Sequence, residues 1–246
     1  MYISAKTHIG NIREVNQDRV GYKQLGDHEL IAVLCDGMGG HNAGEVAAAL
    51  ACDYILEHFD EHQPFASDED IKAWLSTLLS ASNKLIEKEG KLHTEYEGMG
   101  TTAVICYIKD EIIYTSHVGD SRAYLLKGHE LEQLTVDDTL VNALLKNGSI
   151  TEKEAEMHPQ KNILIQAVGV TTPLNISFYK ITDDCSAIFL CSDGLYNSLS
   201  KEQMAEILSK EISTDEKAEE LINEANAHGG YDNISVIIVE KGGSRE

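Results

Sequence analysis

Residues 30–35 form an unbroken apolar run, Leu-Ile-Ala-Val-Leu-Cys, that stops on a carboxylate, Asp36. Six apolar residues are too few to cross a bilayer and suit a strand buried on both faces. Gly37, Met38, Gly39, Gly40 and His41 follow at once, and a helical pattern takes over across residues 43–60. A carboxylate at the tip of a buried strand, beside flexible glycines, can hold a metal or a phosphate on a rigid base. The same pattern also serves as a plain strand-to-helix turn in which Asp36 caps the chain. This stretch alone leaves both readings open, and the presence or absence of other strand-end carboxylates decides between them.

Around this run the chain alternates blocks of strand and helix. Alternation predicts strands over 2–8 and 19–24. The spacing of Ile71, Trp74, Leu75, Leu78, Leu79, Leu85 and Ile86 predicts a helix capped by Ser67 or Asp68, with Trp74 in its core stripe. From 101 to 134 four strand-like segments are separated by turn pairs, a run of hairpins. Residues 136–159 are polar with two short helical patterns, a surface insertion. Strands return over 174–181 and 186–191, helices over 201–211 and 215–227, and a last strand over 233–239. Without regular βαβ alternation, two sheets flanked by helices in one domain are favoured, an α+β fold.

A net charge of -21 argues against non-specific attraction to nucleic acid or to an anionic membrane. The cysteines Cys35, Cys52, Cys106, Cys185 and Cys191 form no CxxC pair, and three lie in apolar runs, so buried reduced thiols are expected. Met1 leads into alternating polar and apolar residues rather than a leader, and no apolar run approaches spanning length. A cytoplasmic protein without a membrane span is expected.

The grammar of Asp36 recurs. An apolar run ends in Asp193-Gly194, the segment ending at Val118 meets Gly119-Asp120-Ser121-Arg122, Asp232 precedes the final strand behind Gly229 and Gly230, and Asp18 lies between two early strands. Each alone reads as a turn residue, but five together are harder to dismiss. Aspartate places a hard oxygen close to the backbone, and all-oxygen sites favour magnesium or manganese over zinc. Carboxylates converging on one point require divalent cations, two or more. The histidines other than His41 have no metal-like spacing.

Six motifs occur in order: Arg13 with Asn16-Gln17-Asp18; Asp36-Gly37-Met38-Gly39-Gly40-His41 with Gly44-Glu45; Gly98-Met99-Gly100-Thr101-Thr102; Gly119-Asp120-Ser121-Arg122; Ser192-Asp193-Gly194-Leu195; and Asp232-Asn233. Together they resemble the metal-dependent protein phosphatase family, 2C type, in its compact bacterial form. The resemblance covers essentially the whole chain. It implies a four-layer α-β-β-α sandwich in a single domain, residues 1–246, with a flap-like insertion around 136–166. It implies hydrolysis of phosphoserine and phosphothreonine in proteins by direct attack of water activated between two Mn2+ or Mg2+ ions. Carried over, Asp36 and the Gly37 carbonyl serve the ions, Asp193 and Asp232 hold the first, and Asp18 supports the site through water. Asp120 with Asp193 resembles the pair that binds a third ion, and Arg13 binds the substrate phosphate, for which an arginine fork is matched to two oxygens. Implied partners are phosphorylated proteins and a serine/threonine kinase whose action is reversed; a monomer is expected.

Two departures stand out. Many eukaryotic relatives place histidine directly after Asp-Gly as the general acid; here Met38-Gly39-Gly40-His41 resembles the bacterial-type version, leaving His41 or a metal-bound water as proton source. In the insertion, Asp138 stands where relatives often carry histidine, and Lys161 or Gln166 where they carry arginine. A regulatory domain of the same fold and a hydrolase of small phosphate esters are the competing readings.

Overall fold

The apolar run occupies the middle of β3 (Glu29–Met38), and the two-residue period of a strand explains its lack of polar residues. Leu30, Ala32 and Leu34 face one side, Ile31, Val33 and Cys35 the other, and all six are fully buried. The computed structural model describes residues 1–39, 43–62 and 64–241.

One sheet runs β2 (Asp18–Leu25), β3, β5 (Ala103–Lys109), β6 (Ile112–Val118) and β9 (Ser177–Ile181), with β4 (Gly100–Thr101) pairing the end of β3. The other runs β1 (Tyr2–His8), β11 (Ile234–Glu240), β10 (Ala187–Cys191), β7 (Arg122–Lys127) and β8 (Glu130–Gln133). Every named pairing is antiparallel. Leu30, Leu34 and Val104 of the first sheet meet Leu125, Leu190 and Ile237 of the second in a core between the sheets.

Helices cover both outer faces. Against Ile31, Val33 and Ile105 lie α1 (Ala43–Glu57) and α2 (Asp68–Leu92). Phe189, Val236 and Ile238 on the other side are covered by Leu195, Met204 and Leu221. After α3 and α4, described below, these belong to α5 (Asp193–Tyr196), α6 (Lys201–Leu208) and α7 (Thr214–Ala227). The four layers of the expected α-β-β-α sandwich are therefore present. Each fully buried Leu, Ile or Phe contributes about 1.5–3 kcal/mol, so the three apolar layers dominate the stability.

Local physics refines several boundaries. Ser67, not Asp68, caps α2, and its capping box is completed by Asp70. The helix expected through residue 60 stops at Glu57, where His58 Nδ1 meets the Tyr54 carbonyl at 2.8 Å and Phe59 turns into the core. Asp36 is inside its strand rather than at the tip, because β4 pairs with Gly37 and Met38 and prolongs the ladder. Trp74 is partly buried against Phe59, Phe65 and Tyr107.

Between β8 and β9 lie two short helices, α3 (Leu140–Lys146) and α4 (Glu152–Glu156), capped by Thr139 and Thr151. The segment is stitched to itself by Leu140 N donating to the Ile163 carbonyl and Ile165 N to that of Asp138, both 2.9 Å. Asp138 also anchors it to the sandwich. Its amide donates to the Gly119 carbonyl (2.9 Å), and its Oδ2 accepts from Gly119 N (3.0 Å).

Candidate metal centre

Asp36, Asp120, Asp193 and Asp232 line one cavity of about 500 Å³ together with Arg13, Gly37 and Thr102. Asp18 is buried beside it, directly opposite Asp36 across β2 and β3. The five aspartates come from sequence positions spread over most of the chain. What gathers them is that the ends of strands from both sheets meet at one edge of the sandwich.

The backbones that present Asp36 and Asp120 have polar groups occupied elsewhere. Asp36 N donates to Thr102 Oγ1 (3.0 Å), and the Asp36 carbonyl accepts from Thr102 N (2.8 Å) and Thr101 Oγ1 (2.9 Å). Thr102 Oγ1 in turn shares a 2.7 Å hydrogen bond with Ser121 Oγ, tying β3 to the Asp120 turn. Gly37 is packed so tightly that a Cβ there would lie 2.1 Å from the Gly44 carbonyl oxygen and 2.6 Å from that of Gln17. Asp193 opens α5, and Asn197 Nδ2 donates to its Oδ2 at 3.3 Å. The Asp120 carbonyl accepts from Tyr196 Oη at 3.1 Å, leaving its side chain to the cavity.

Electrostatics mark the site as built for cations. Burial, with Asp193 and Asp232 adding negative charge, pushes the Asp18 carboxyl up to about 7. Burial first and Asp193 next raise Asp120 to about 7. Burial and Asp232 raise Asp193 to about 6, and burial with Asp18 holds Asp36 well above the ordinary range. Among the described residues lining the cavity Arg13 alone is basic. Its Nη2 meets Asp232 Oδ2 at 2.7 Å, a bond that raises the guanidinium pKa further.

The donor set fits hard divalent cations. The lining carboxylates offer only oxygen, with no thiol or imidazole among the described lining residues. Asp18 accepts from Ser192 Oγ at 2.8 Å through Oδ2, while its buried Oδ1 has no partner, a place suited to a cation or its water. Among the described residues no three Asp, Glu, His or Cys side chains already close on one ion-sized point.

Arg13, Asp36, Gly37, Asp120, Asp193 and Asp232 are thus brought together, with Asp18 adjoining. His41 lies outside the described residues. Motif reading passed over Thr102, Ser192 and Asn233, although each sits inside a quoted motif next to an aspartate or its partner strand. Their signal was a small polar residue in a position where an apolar one would pack.

The protein phosphatase 2C model matches residues 6–226. The chain is 38% identical over 242 residues to "Serine/threonine phosphatase stp" of Listeria monocytogenes, covering 98% of this chain and 96% of that one. Among solved structures, the S. agalactiae serine/threonine phosphatase superposes with a TM-score of 0.91 at 35% identity, covering 98% and 99% of the two chains. The catalytic domain of the serine threonine protein phosphatase PstP, in complex with two manganese ions, gives 0.79 at 33% identity, covering 97% and 96%. A sandwich of this topology, with a carboxylate cavity at its edge and likeness along nearly its full length, leads to one conclusion: the chain belongs to the protein phosphatase 2C family and is a metal-dependent serine/threonine protein phosphatase.

Proposed function

We propose that the cavity is the catalytic centre, with Asp36, the Gly37 carbonyl, Asp193 and Asp232 holding two Mn2+ or Mg2+ ions. In this reading Asp18 supports them, and Asp120 with Asp193 takes a third. The observation that carries the reading is Arg13, which reaches into a cavity of four carboxylates and bonds Asp232 at 2.7 Å. Half of its side chain remains exposed, so N–H groups are left over for a phosphate.

When bound, the cations supply Lewis acidity, neutralise the converging charges and make water a stronger nucleophile. The chain's own residues do the rest. Arg13 binds the substrate phosphate and orients it, and its charge offsets the repulsion a dianion would meet among carboxylates. Thr101 and Thr102 hold the Asp36 backbone, and Ser192 holds one Asp18 oxygen, so the ligands stay fixed while the substrate changes. Segment 136–166, whose Asn162, Ile163 and Leu164 line the cavity, acts as the flap over the substrate. The substrates would be phosphoproteins made by a bacterial serine/threonine kinase, met in the cytoplasm by a monomeric enzyme. Among the described residues no helix is long and apolar enough to cross a membrane.

The test is phosphate release from a phosphothreonine peptide and from a small aryl phosphate, with manganese, magnesium or chelator, for wild type, Asp193→Ala and Arg13→Ala. Turnover that needs metal, falls at least about a hundredfold in Asp193→Ala and loses substrate affinity in Arg13→Ala supports these roles. Turnover that survives both chelator and Asp193→Ala overturns them.

A further inference from the structure

Arg13 rides on the loop that joins β1 to β2, and its immediate neighbours Ile12 and Glu14 are exposed. The guanidinium is therefore only as well placed as the base of that loop. The base is tied to one buried side chain just before β11, next to Asp232. Asn233 Nδ2 donates to the Ile9 carbonyl (2.9 Å) and to that of Val15 (3.1 Å), while its Oδ1 accepts from Gln17 N (2.9 Å). Asn233 is 5% exposed, so these bonds are made away from water.

The three bonds spend both amide protons and the carbonyl oxygen, and they grip the loop on both sides of Arg13. An ionised aspartate could not donate, a serine could not span both limbs, and a glutamine would be one methylene too long. The same residue touches the metal side of the cavity: its backbone N–H bonds Asp232 Oδ1 at 2.9 Å. Further bonds brace the loop: on the returning limb Asn16 Nδ2 donates to Thr7 Oγ1 (2.8 Å) and Gly37 N to the Gln17 carbonyl (3.1 Å), and others hold the rising limb. Asn11 N donates to the Gly230 carbonyl (2.7 Å), and Gly10 uses a left-handed φ of +83° where a Cβ would strike the Asp232 carbonyl at 2.2 Å. Asn233 is the side chain whose bonds reach both limbs, at Ile9 on the rising side and at Val15 and Gln17 on the returning side.

We propose that Asn233 is a positioning residue for phosphate binding, acting through Arg13 by clamping both limbs of its loop to the turn that carries Asp232 just before β11. The inference rests on Arg13 being the phosphate-binding group. Bidentate recognition tolerates little displacement, and a shift of about 1 Å can cost about a hundredfold. Loss of the clamp therefore weakens phosphate recognition more than it weakens metal binding.

The experiment is a double-mutant cycle of Arg13→Ala and Asn233→Ala, read as KM for a phosphothreonine peptide and as competitive inhibition by inorganic phosphate at saturating manganese. Manganese affinity is followed by calorimetry. Asn233→Ala is expected to raise KM and the phosphate inhibition constant about tenfold in the wild-type background and less than about twofold when Arg13 is already alanine. Asn233→Ser, which stays polar and uncharged but cannot span both limbs, is the second variant and should show the same non-additivity. Additive effects in either variant, or a loss explained wholly by weaker manganese binding, overturn the proposal. An inhibition constant that Arg13→Ala alone leaves unchanged overturns instead the role of Arg13, and the inference falls with it.

Discussion

Asp18 and Asp36 stand directly opposite one another in the β2–β3 ladder, two carboxylates paired across neighbouring antiparallel strands. Side chains of such partners leave the sheet on the same face with Cβ atoms about 4.5–5.5 Å apart, and like charges there are destabilising. The fold tolerates the pair because Ser192 donates to Asp18 and because burial shifts both groups toward the protonated form. A cation reverses that preference.

Removing the charge at Asp18 should stabilise the metal-free protein and impair the enzyme. In Asp18→Asn the side chain keeps an acceptor for Ser192 Oγ but no longer opposes Asp36. We expect a gain on the order of 4 kcal/mol at pH 8 from the raised Asp18 pKa. For a chain of this size that is roughly 10 °C in melting temperature. Thermal melts in chelator, beside activity in manganese, check both halves; a lower melting temperature would count against the electrostatic account.

Metal-free stability should fall as pH rises from 5 to 8. Asp18 and Asp120 are raised to about 7 and Asp193 to about 6, all from an ordinary 3.8. Because the folded values exceed the unfolded ones, the stability these groups contribute is complete below about pH 4 and is lost as pH passes through 6 to 7. Manganese should abolish the trend, and its binding should release protons at pH 6 and fewer at pH 8. Melting curves across this range, with calorimetry in buffers of different ionisation enthalpy, are decisive. A metal-free melting temperature that climbs from pH 5 to 8 contradicts the site as described.

Gly37→Ala should be severe. The new Cβ would meet two backbone carbonyl oxygens, of Gly44 and Gln17, neither of which can swing aside as a side chain does. A loss of about 3 kcal/mol or more is expected, together with loss of activity. Urea denaturation measures it, and a change below about 1 kcal/mol would mean that the α1 start and the Gln17 loop yield more easily than their packing implies.

Asp138→Ala should loosen segment 136–166 without unfolding the sandwich. The substitution removes the side-chain acceptor for Gly119 N, the bond beside the Asp120 turn, while the backbone bond to the Gly119 carbonyl remains. Cleavage within 139–165 by a protease at low dose should accelerate several-fold, with global stability down by only about 1–2 kcal/mol. Equal protection of mutant and wild type would show that the backbone bonds suffice to hold the segment.

Much of this architecture is legible from local chemistry. An apolar run that buries both faces of a strand, a helical stripe that begins at a capping box, and Asp-Gly pairs at strand ends all follow from period and side-chain shape over a few residues. Arg13 and the five aspartates were named from motif order, and they meet. The fine boundaries were not legible: β3 continues through Asp36 because a two-residue strand from residue 100 pairs with it, and α1 stops short because Phe59 finds the core.

The sequence by itself determined which donor groups are available, because an oxygen donor or a guanidinium is a property of the residue. Only the tertiary structure decided that Asp18 faces Asp36, that Arg13 pairs with Asp232 across 219 positions, and that one amide at Asn233 grips both limbs of the Arg13 loop. Such relationships depend on strand register and on the packing of two sheets. Their energies are summed over cores assembled from distant segments and leave no trace in any short window of the chain.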